Sequence, residues 1–555
     1  MNSQKFLTCI VIFIILLPTA LYSENLQEYL PNSDPLVRNL KRDFLLQGKV
    51  FPFPSGPFTV QEIQSYQAIV GQVPTQTPNR RLYQEEGFTF DIDPTLSLEL
   101  RSGLTYGYGQ QKPFLILPLQ FWALENFYFT YDFTLKYDPF YVLDHPELGT
   151  NVVTDLSGLD FSFPFNGGFS IGGPHWHFQL QKGPISWGPG QTGKLTFSED
   201  AGSLEHAGFS LWFDRFKFTF LTVNQDVYKY DPNEASPPWG FFTSAEVPDI
   251  SAPNSRLKFL LAHRYDVKPF DNLRLSLNEF YLIKSDTFDF RYLNPFLVFH
   301  NWFLSLNANS DISLEAEWAP LPGLNLYGQW YIDYMKTEYK QATYNDPTPG
   351  SYAYQLGLEW AVPLFAGYLS GGLEWVYTDP FFYLNNRVNM TVTKRYLSNY
   401  AGKNGEKPGG KLYELPFGYK YGPDSQVFFA QSHFDSTQGW TAGLSATLLQ
   451  KGDITFRTLH PLIAESPYYA GDPSSPDYQN KLKAYLDITT PTGPNPIQKL
   501  TLEPSFQVDG SILGLSPDLS VYGSLFLIWT WDRDHVPGQN TYETEGVLGL
   551  TWTWK

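Results

Sequence analysis

The chain has a single cysteine, Cys9, and it sits early in an N-terminal apolar run. Lys5, the run Phe6 to Leu17, Pro18 and the small and polar residues up to Ser23 have the order of a secretory leader, with cleavage expected after Ser23. Removal of residues 1–23 leaves a mature chain without cysteine, which excludes a disulfide framework. Long apolar runs are also missing. The leader run is too short to span a bilayer, and nothing after it approaches the ~20 apolar residues of a membrane helix. Charge is scarce as well: charged residues make up 17% of the chain, and their balance of -18 excludes a nucleic-acid partner.

Aromatic residues are abundant, at 17%, while the mean hydropathy is only -0.27. An exported, moderately polar, aromatic-rich chain without spanning helices fits the transmembrane β-barrel, in which half of each strand faces lipid. From about Phe88 onward the hydrophobic period is two. Leu96, Leu98 and Leu100 alternate with Ser97, Glu99 and Arg101; Leu273, Leu275 and Leu277 alternate with Arg274, Ser276 and Asn278. Leu324, Leu326, Gly328, Trp330, Ile332 and Tyr334 form a lipid-suited face, opposed by Asn325, Tyr327, Gln329, Tyr331 and Asp333 on a face suited to water. Counting such segments gives about 16 to 20 antiparallel strands, most of the ~9–11 residues needed to cross a membrane. The last one, Leu548, Leu550, Trp552 and Trp554 alternating with Gly549, Thr551 and Thr553, resembles the closing strand of outer-membrane barrels, the element the barrel-insertion machinery engages. The implied partners are outer-membrane lipid and that machinery, in a diderm bacterium.

Residues 24–80 differ. Asp34-Pro35 is an N-cap followed by proline at the first helical position, with Leu36, Leu40 and Phe44 on one face and Gly48 as a stop. Thr59-Val60-Gln61-Glu62 is a capping box opening a second helix, with Val60, Ile63 and Tyr66 on its face. Two short helices bury little alone, so they are expected to dock on residues 81–555 as a small plug.

Three connections, about Asp226–Ser255, Tyr383–Ser425 and Pro461–Pro496, are too long for hairpin turns and are expected outside the cell. The middle one carries Arg387, Lys394, Arg395, Lys403, Lys407, Lys411 and Lys420 against only Glu406 and Glu414. In an acidic chain this reversal of sign concentrates an anionic ligand, or else forms a solvated loop over lipid phosphates. Tyr413, Tyr419 and Tyr421 close the loop; with Tyr327 and Tyr331 they offer ring faces and hydroxyls suited to sugars, and equally to an interfacial girdle.

Three further patterns bear on chemistry. Gly188-Pro189-Gly190-Gln191-Thr192-Gly193-Lys194 fills seven positions of a phosphate loop, but Leu195 stands where the magnesium-binding hydroxyl belongs. The following Lys194-Leu195-Thr196-Phe197 alternates like a strand, so a turn, with Lys194 in the lumen or at an interface, replaces the nucleotide site. His175 and His177, two residues apart, are expected on one strand face, where paired imidazoles could hold a metal or simply line the lumen. The nine histidines are scattered and no Ser-His-acid set can be named, so neither an enzyme, a cofactor nor a bound metal is expected.

Trp187-Gly188-Pro189-Gly190, followed by Leu195 and Ser198 and leading to Ala201–Leu211, resembles the outer-membrane capsule assembly protein Wzi family. So do Pro57-Phe58-Thr59-Val60-Gln61-Glu62 and Glu279 with Arg291-Tyr292-Leu293-Asn294-Pro295. The resemblance runs discontinuously from near Leu30 to near Asn301. It implies an 18-stranded or similar barrel, closed at its periplasmic mouth by the N-terminal helices and holding surface polysaccharide without turnover. It supplies no glycan-binding residues, so Arg387, Lys394, Arg395, Lys403, Lys407, Lys411 and Tyr413 remain the candidates from charge, with a transport channel as the alternative.

Overall fold

The computed structural model describes residues 26–73, 83–85, 88–103, 111–124, 126–145, 147–161, 164–225, 241–242, 257–285, 294, 308–336, 349–384, 393–397, 412–456, 475–477, 480, 483 and 487–554. The proposed leader lies outside them, as do Arg387, Lys403, Lys407, Lys411, Arg291 to Leu293 and Pro295.

Eighteen antiparallel strands close a barrel. The first, β1, is interrupted at Asp93-Pro94, where proline has no N–H to give the ladder, and so comes in two pieces, Phe88–Ile92 and Thr95–Ser102. The others are β2 Leu115–Ala123, β3 Phe127–Leu135, β4 Gly167–Gly173, β5 Trp176–Pro184, β6 Ser203–Phe213, β7 Phe216–Gln225, β8 Leu257–Phe270 and β9 Leu273–Ser285. They continue as β10 Ala308–Leu321, β11 Leu324–Tyr334, β12 Ser351–Pro363, β13 Gly367–Thr378, β14 Ser425–Ser436, β15 Trp440–Lys451, β16 Ile497–Asp509, β17 Leu519–Trp531 and β18 Thr541–Thr553. Closure is made by β18 on β1, from Gly546↔Ser102 to Thr553↔Thr95.

Period two decides which way each side chain points. Leu98, Leu100, Leu180, Leu275, Leu277, Leu314, Leu356, Leu373, Leu444 and Leu548 are exposed on the outer surface. An apolar belt around the whole circumference is stable only against lipid. No helix among the described residues is long and apolar enough to cross a membrane, which leaves the strands to do so.

Connections alternate between short and long. Pro174-His175, Asp214-Arg215, Asp271-Asn272 and Pro322-Gly323 turn the chain at one end, whereas residues 226–256, 379–424 and 452–496 join strands at the other. These three agree with the expected long loops. Residues 136–166 and 286–307 are also long and at the same end, and their composition gave no warning of it.

The N-terminal segment occupies the short-turn end. Helix α1, Pro35–Leu46, starts at Asp34, whose Oδ1 accepts the Leu36 N–H at 2.8 Å. It buries Val37, Leu40 and Phe44, which places Leu36 at the edge of the apolar face. Helix α2, Val60–Ile69, starts at Thr59, whose hydroxyl accepts the Glu62 N–H at 3.2 Å. Phe51, Phe53, Phe58, Ile63 and Tyr66 complete a small apolar core to which the barrel adds Trp212. Backbone hydrogen bonds from Val50 N–H to Asp271 O and from Gly323 N–H to Leu45 O, at 3.0 and 2.8 Å, fix this segment to two short turns.

Candidate functional site

The lumen is layered. Nearest the long loops it is apolar: Leu221, Val223, Leu260, Ala262, Phe280, Leu282, Tyr331 and Val376 from the wall enclose Trp187, Leu195 and Phe197. Those three come from the β5–β6 connection, residues 185–202, which turns inward instead of outward. The strand expected at Lys194–Phe197 is therefore an irregular loop; Leu195, Thr196 and Phe197 are all buried because lumen surrounds them on every side. Ser186 and Trp187 pair instead with Gly56 and Ser55 of the N-terminal segment. Trp187 meets Phe197 edge-on at 5.0 Å and Phe280 at 6.1 Å.

The turn at Gly188-Pro189-Gly190 needs glycine. Gly190 has φ 112°, and a Cβ there would lie 2.4 Å from Gln355 Nε2 and 2.5 Å from Gly193 O. Lys194 Nζ donates to Gly190 O, so the lysine clamps its own loop. Ser198 caps the turn Glu199–Ala201, and its N–H donates to Phe417 O at 2.7 Å.

One carboxylate holds the tip of this loop. Glu374 Oε2 accepts from Gln191 N–H, the Tyr327 hydroxyl and Gln355 Nε2 at 2.7, 2.7 and 3.0 Å. Its Oε1 accepts from Thr192 N–H at 2.9 Å and from the Thr192 hydroxyl. Lower in the barrel Arg264 makes bidentate bonds to Asp266 and Glu315, at 2.7 to 2.8 Å, with all three groups buried. Lys217 Nζ donates to Glu62 Oε1 at 2.5 Å and to Ser55 O at 2.9 Å. Glu62 thus completes only half of the expected capping box, since its side chain turns to the barrel wall.

These contacts correct the expectation that the second face of β11 meets water. Asn325, Tyr327, Gln329, Tyr331 and Asp333 are all buried against the filling. Tyr327 and Tyr331 are consequently spent on Glu374 and on Asp311 Oδ2, at 2.7 and 2.8 Å, and offer no sugar platform. Tyr419 is likewise buried, beside the Thr192 hydroxyl. His175 and His177 do not share a face. His175 belongs to the turn and stacks near outward-facing Phe213, whereas His177 is buried beside Trp212, with ring centroids 5.6 Å apart in each pair. No cluster suited to a metal occurs among the described residues.

Of the candidate basic-loop residues, Lys394 and Arg395 lie on a strand, Thr393–Leu397, and Tyr413 on its partner, Leu412–Pro416. The register sets Arg395 opposite Glu414 and Tyr396 opposite Tyr413. Phe241–Phe242 of the β7–β8 connection adds a third strand, so two long loops join in one small sheet.

A cavity of about 240 Å³ remains near the short-turn end, between α1, the Gly188-Pro189 turn and the wall of β10 to β14. Arg38, Lys41 and Arg42, at i, i+3 and i+4 on α1, line one side with Lys49. Glu317, Asn325 and Glu359 line the other. Arg42 stacks over the Tyr368 ring at 4.2 Å and pairs with Asp435 at 3.4 Å. Sequence reasoning missed this site, although the spacing of the three basic residues on an otherwise apolar-faced helix was readable.

A closed barrel, a lipid-facing belt and a lumen filled along β8 to β13 define a membrane β-barrel of the outer-membrane type. No family model matches the chain, and no curated protein matches it. Among solved structures, Wzi of Escherichia coli, an outer-membrane protein involved in group 1 capsule assembly and described as a carbohydrate-binding β-barrel, is similar over 96% of this chain and 99% of its own. The identity is 12% and the TM-score 0.50. OprD of Pseudomonas aeruginosa aligns over 84% of this chain and 94% of its own, at 9% identity and a TM-score of 0.38. OccAB4 of Acinetobacter baumannii aligns over 86% and 99%, at 10% and 0.39. At 12% identity the likeness to Wzi is one of fold.

Proposed function

We propose that this protein is a Wzi-like barrel of a diderm outer membrane that binds or anchors a cell-surface polysaccharide without turning it over. In this reading residues 1–23 direct export, residues 24–80 form a periplasmic plug and residues 81–555 the barrel, inserted through its C-terminal strand. The observation that carries the proposal is the filled lumen. The inward faces of β8 to β11, and those of β12 and β13 away from the cavity, are buried beneath two segments that are bonded to the wall through Glu374 and Lys217. A chain that spends buried carboxylates, an ammonium and an aromatic cluster on a fixed interior is built as a scaffold, with its long loops as the ligand-facing surface. The fold shared with a carbohydrate-binding barrel supports the same reading.

A channel is the second reading, and one observation favours it. Gln431 on β14 and Gln507 on β16 face the lumen by register and are solvent-exposed, so the filling is asymmetric. Detergent-extracted protein should bind the polysaccharide of its own cell surface, and deletion of the gene should shed that polysaccharide. Full retention in the deletion strain, with no binding by the purified protein, defeats the anchoring reading.

A further inference from the structure

The cavity beside α1 is built for a ligand. Among the described residues, Arg38, Lys41 and Lys49 have no carboxylate within ion-pair distance, whereas Glu317 is already matched by Arg274 at 2.5 Å and Arg42 by Asp435. That leaves Glu359 on the lining, with Glu199 near Lys41 behind it, against three cations, a surplus that favours an anion. One polar atom on the lining makes no hydrogen bond: Asn325 Oδ1, on a side chain only 5% exposed. The orientation of the Asn325 amide is settled, because its Nδ2 donates to Glu317 Oε1 at 2.9 Å and to Glu359 Oε2 at 3.2 Å. The unmatched atom is therefore an acceptor. Leaving it buried and unpaired is costly, so the matching ligand donates to it, while its negative charge answers the basic side of the lining.

We infer that this cavity binds a hydroxylated anion of sugar size, a uronic-acid type of saccharide unit. The carboxylate takes the Lys41 and Arg42 side, and a hydroxyl donates to Asn325 Oδ1. Glu359 is a further acceptor for hydroxyls. The volume of about 240 Å³ admits one such unit and no long stretch of polymer. Arg38, exposed on α1, stands at the rim, so entry is from the short-turn end and not from the long loops. The cavity opens away from the long loops, so its ligand arrives from the periplasmic side. That this ligand is an acidic unit of the same glycan rests on the function proposed above; its chemistry does not.

The test is titration calorimetry on the full-length protein in detergent, with glucuronate, glucose and inorganic phosphate as probes and an acidic surface polysaccharide measured in parallel. Glucuronate should saturate one site per chain, glucose should bind at least about tenfold more weakly, and phosphate should not compete at equal concentration. Arg42→Gln and Lys41→Met should each weaken glucuronate about tenfold while keeping heat-modifiable migration in gels; if either fails to fold, Arg38→Gln at the exposed rim serves in its place. Equal binding of glucose, full competition by phosphate, or unchanged affinity in the folded variants overturns the inference. Polysaccharide binding without any glucuronate site overturns it too and leaves the anchoring function standing. Saturable glucuronate binding without polysaccharide binding supports the cavity and removes the anchor.

Discussion

Lys217 on β7 and Glu62 in α2 meet at 2.5 Å with neither side chain reaching solvent. The pair joins residues 155 positions apart and makes the N-terminal segment part of the barrel. Removing one partner strands the other charge in a dry site, at a cost of about 3–5 kcal/mol. Lys217→Met should therefore lower the urea midpoint of the folded protein clearly, and the double variant Glu62→Leu with Lys217→Met should recover much of the loss. Single variants as stable as the parent would show that the pair does not hold the segment.

Glu374 is the corresponding latch for the inward loop. Its carboxylate takes five donors, three of them from Gln191 and Thr192. Glu374→Ala leaves those donors unpaired and should free the loop, exposing Gly190 to Lys194 to protease and adding ion-conducting openings. A loop as protease-resistant as in the parent would contradict this.

Binding in the α1 cavity should depend on pH. Burial, with Lys194 close by, brings the Lys41 ammonium down to about 8. Glu359, Glu199 and Glu317 face the same group and act the other way, while Arg42 lies beside it on α1. Below about 8 Lys41 is charged and favours an anion; above it the charge is lost, while a uronate stays ionised throughout. Glucuronate affinity should hold between about pH 6 and pH 7 and fall by about pH 9, with Lys41→Met flat across the range. An affinity that rises with pH would place the anion elsewhere.

The basic loop tests the surface contribution separately. Neutralising Lys394, Arg395, Lys403 and Lys407 together should weaken polysaccharide binding and its dependence on salt, since exposed cations act through a screened field. The barrel itself should remain heat-modifiable. Unchanged binding would assign the loop to lipid headgroups.

The strands were legible because a barrel writes its membrane into period two: Leu275 and Leu277 point out, Arg274 and Asn278 point in, as their alternation says. The two helix starts at Asp34 and Thr59 were legible for a related reason, since caps are local. The inward loop was not. Leu195 and Phe197 alternate with polar neighbours just as a strand does, and only their burial within the lumen separates the two cases. Nor could the sequence disclose that Glu374 would serve Gln191 and Thr192, more than 180 positions away. Charge composition drew attention to the loop around Lys394, whereas the cavity is made by a helical face and a strand face that meet only in the folded chain.

The proposed function is that of a barrel whose lumen is filled along β8 to β13 in order to bind and not to conduct. Conductance of the full-length protein in planar bilayers tests it most directly. The native chain should leave the membrane silent, with openings appearing after removal of residues 24–80 or in Glu374→Ala. Large, steady openings from the native protein would contradict it.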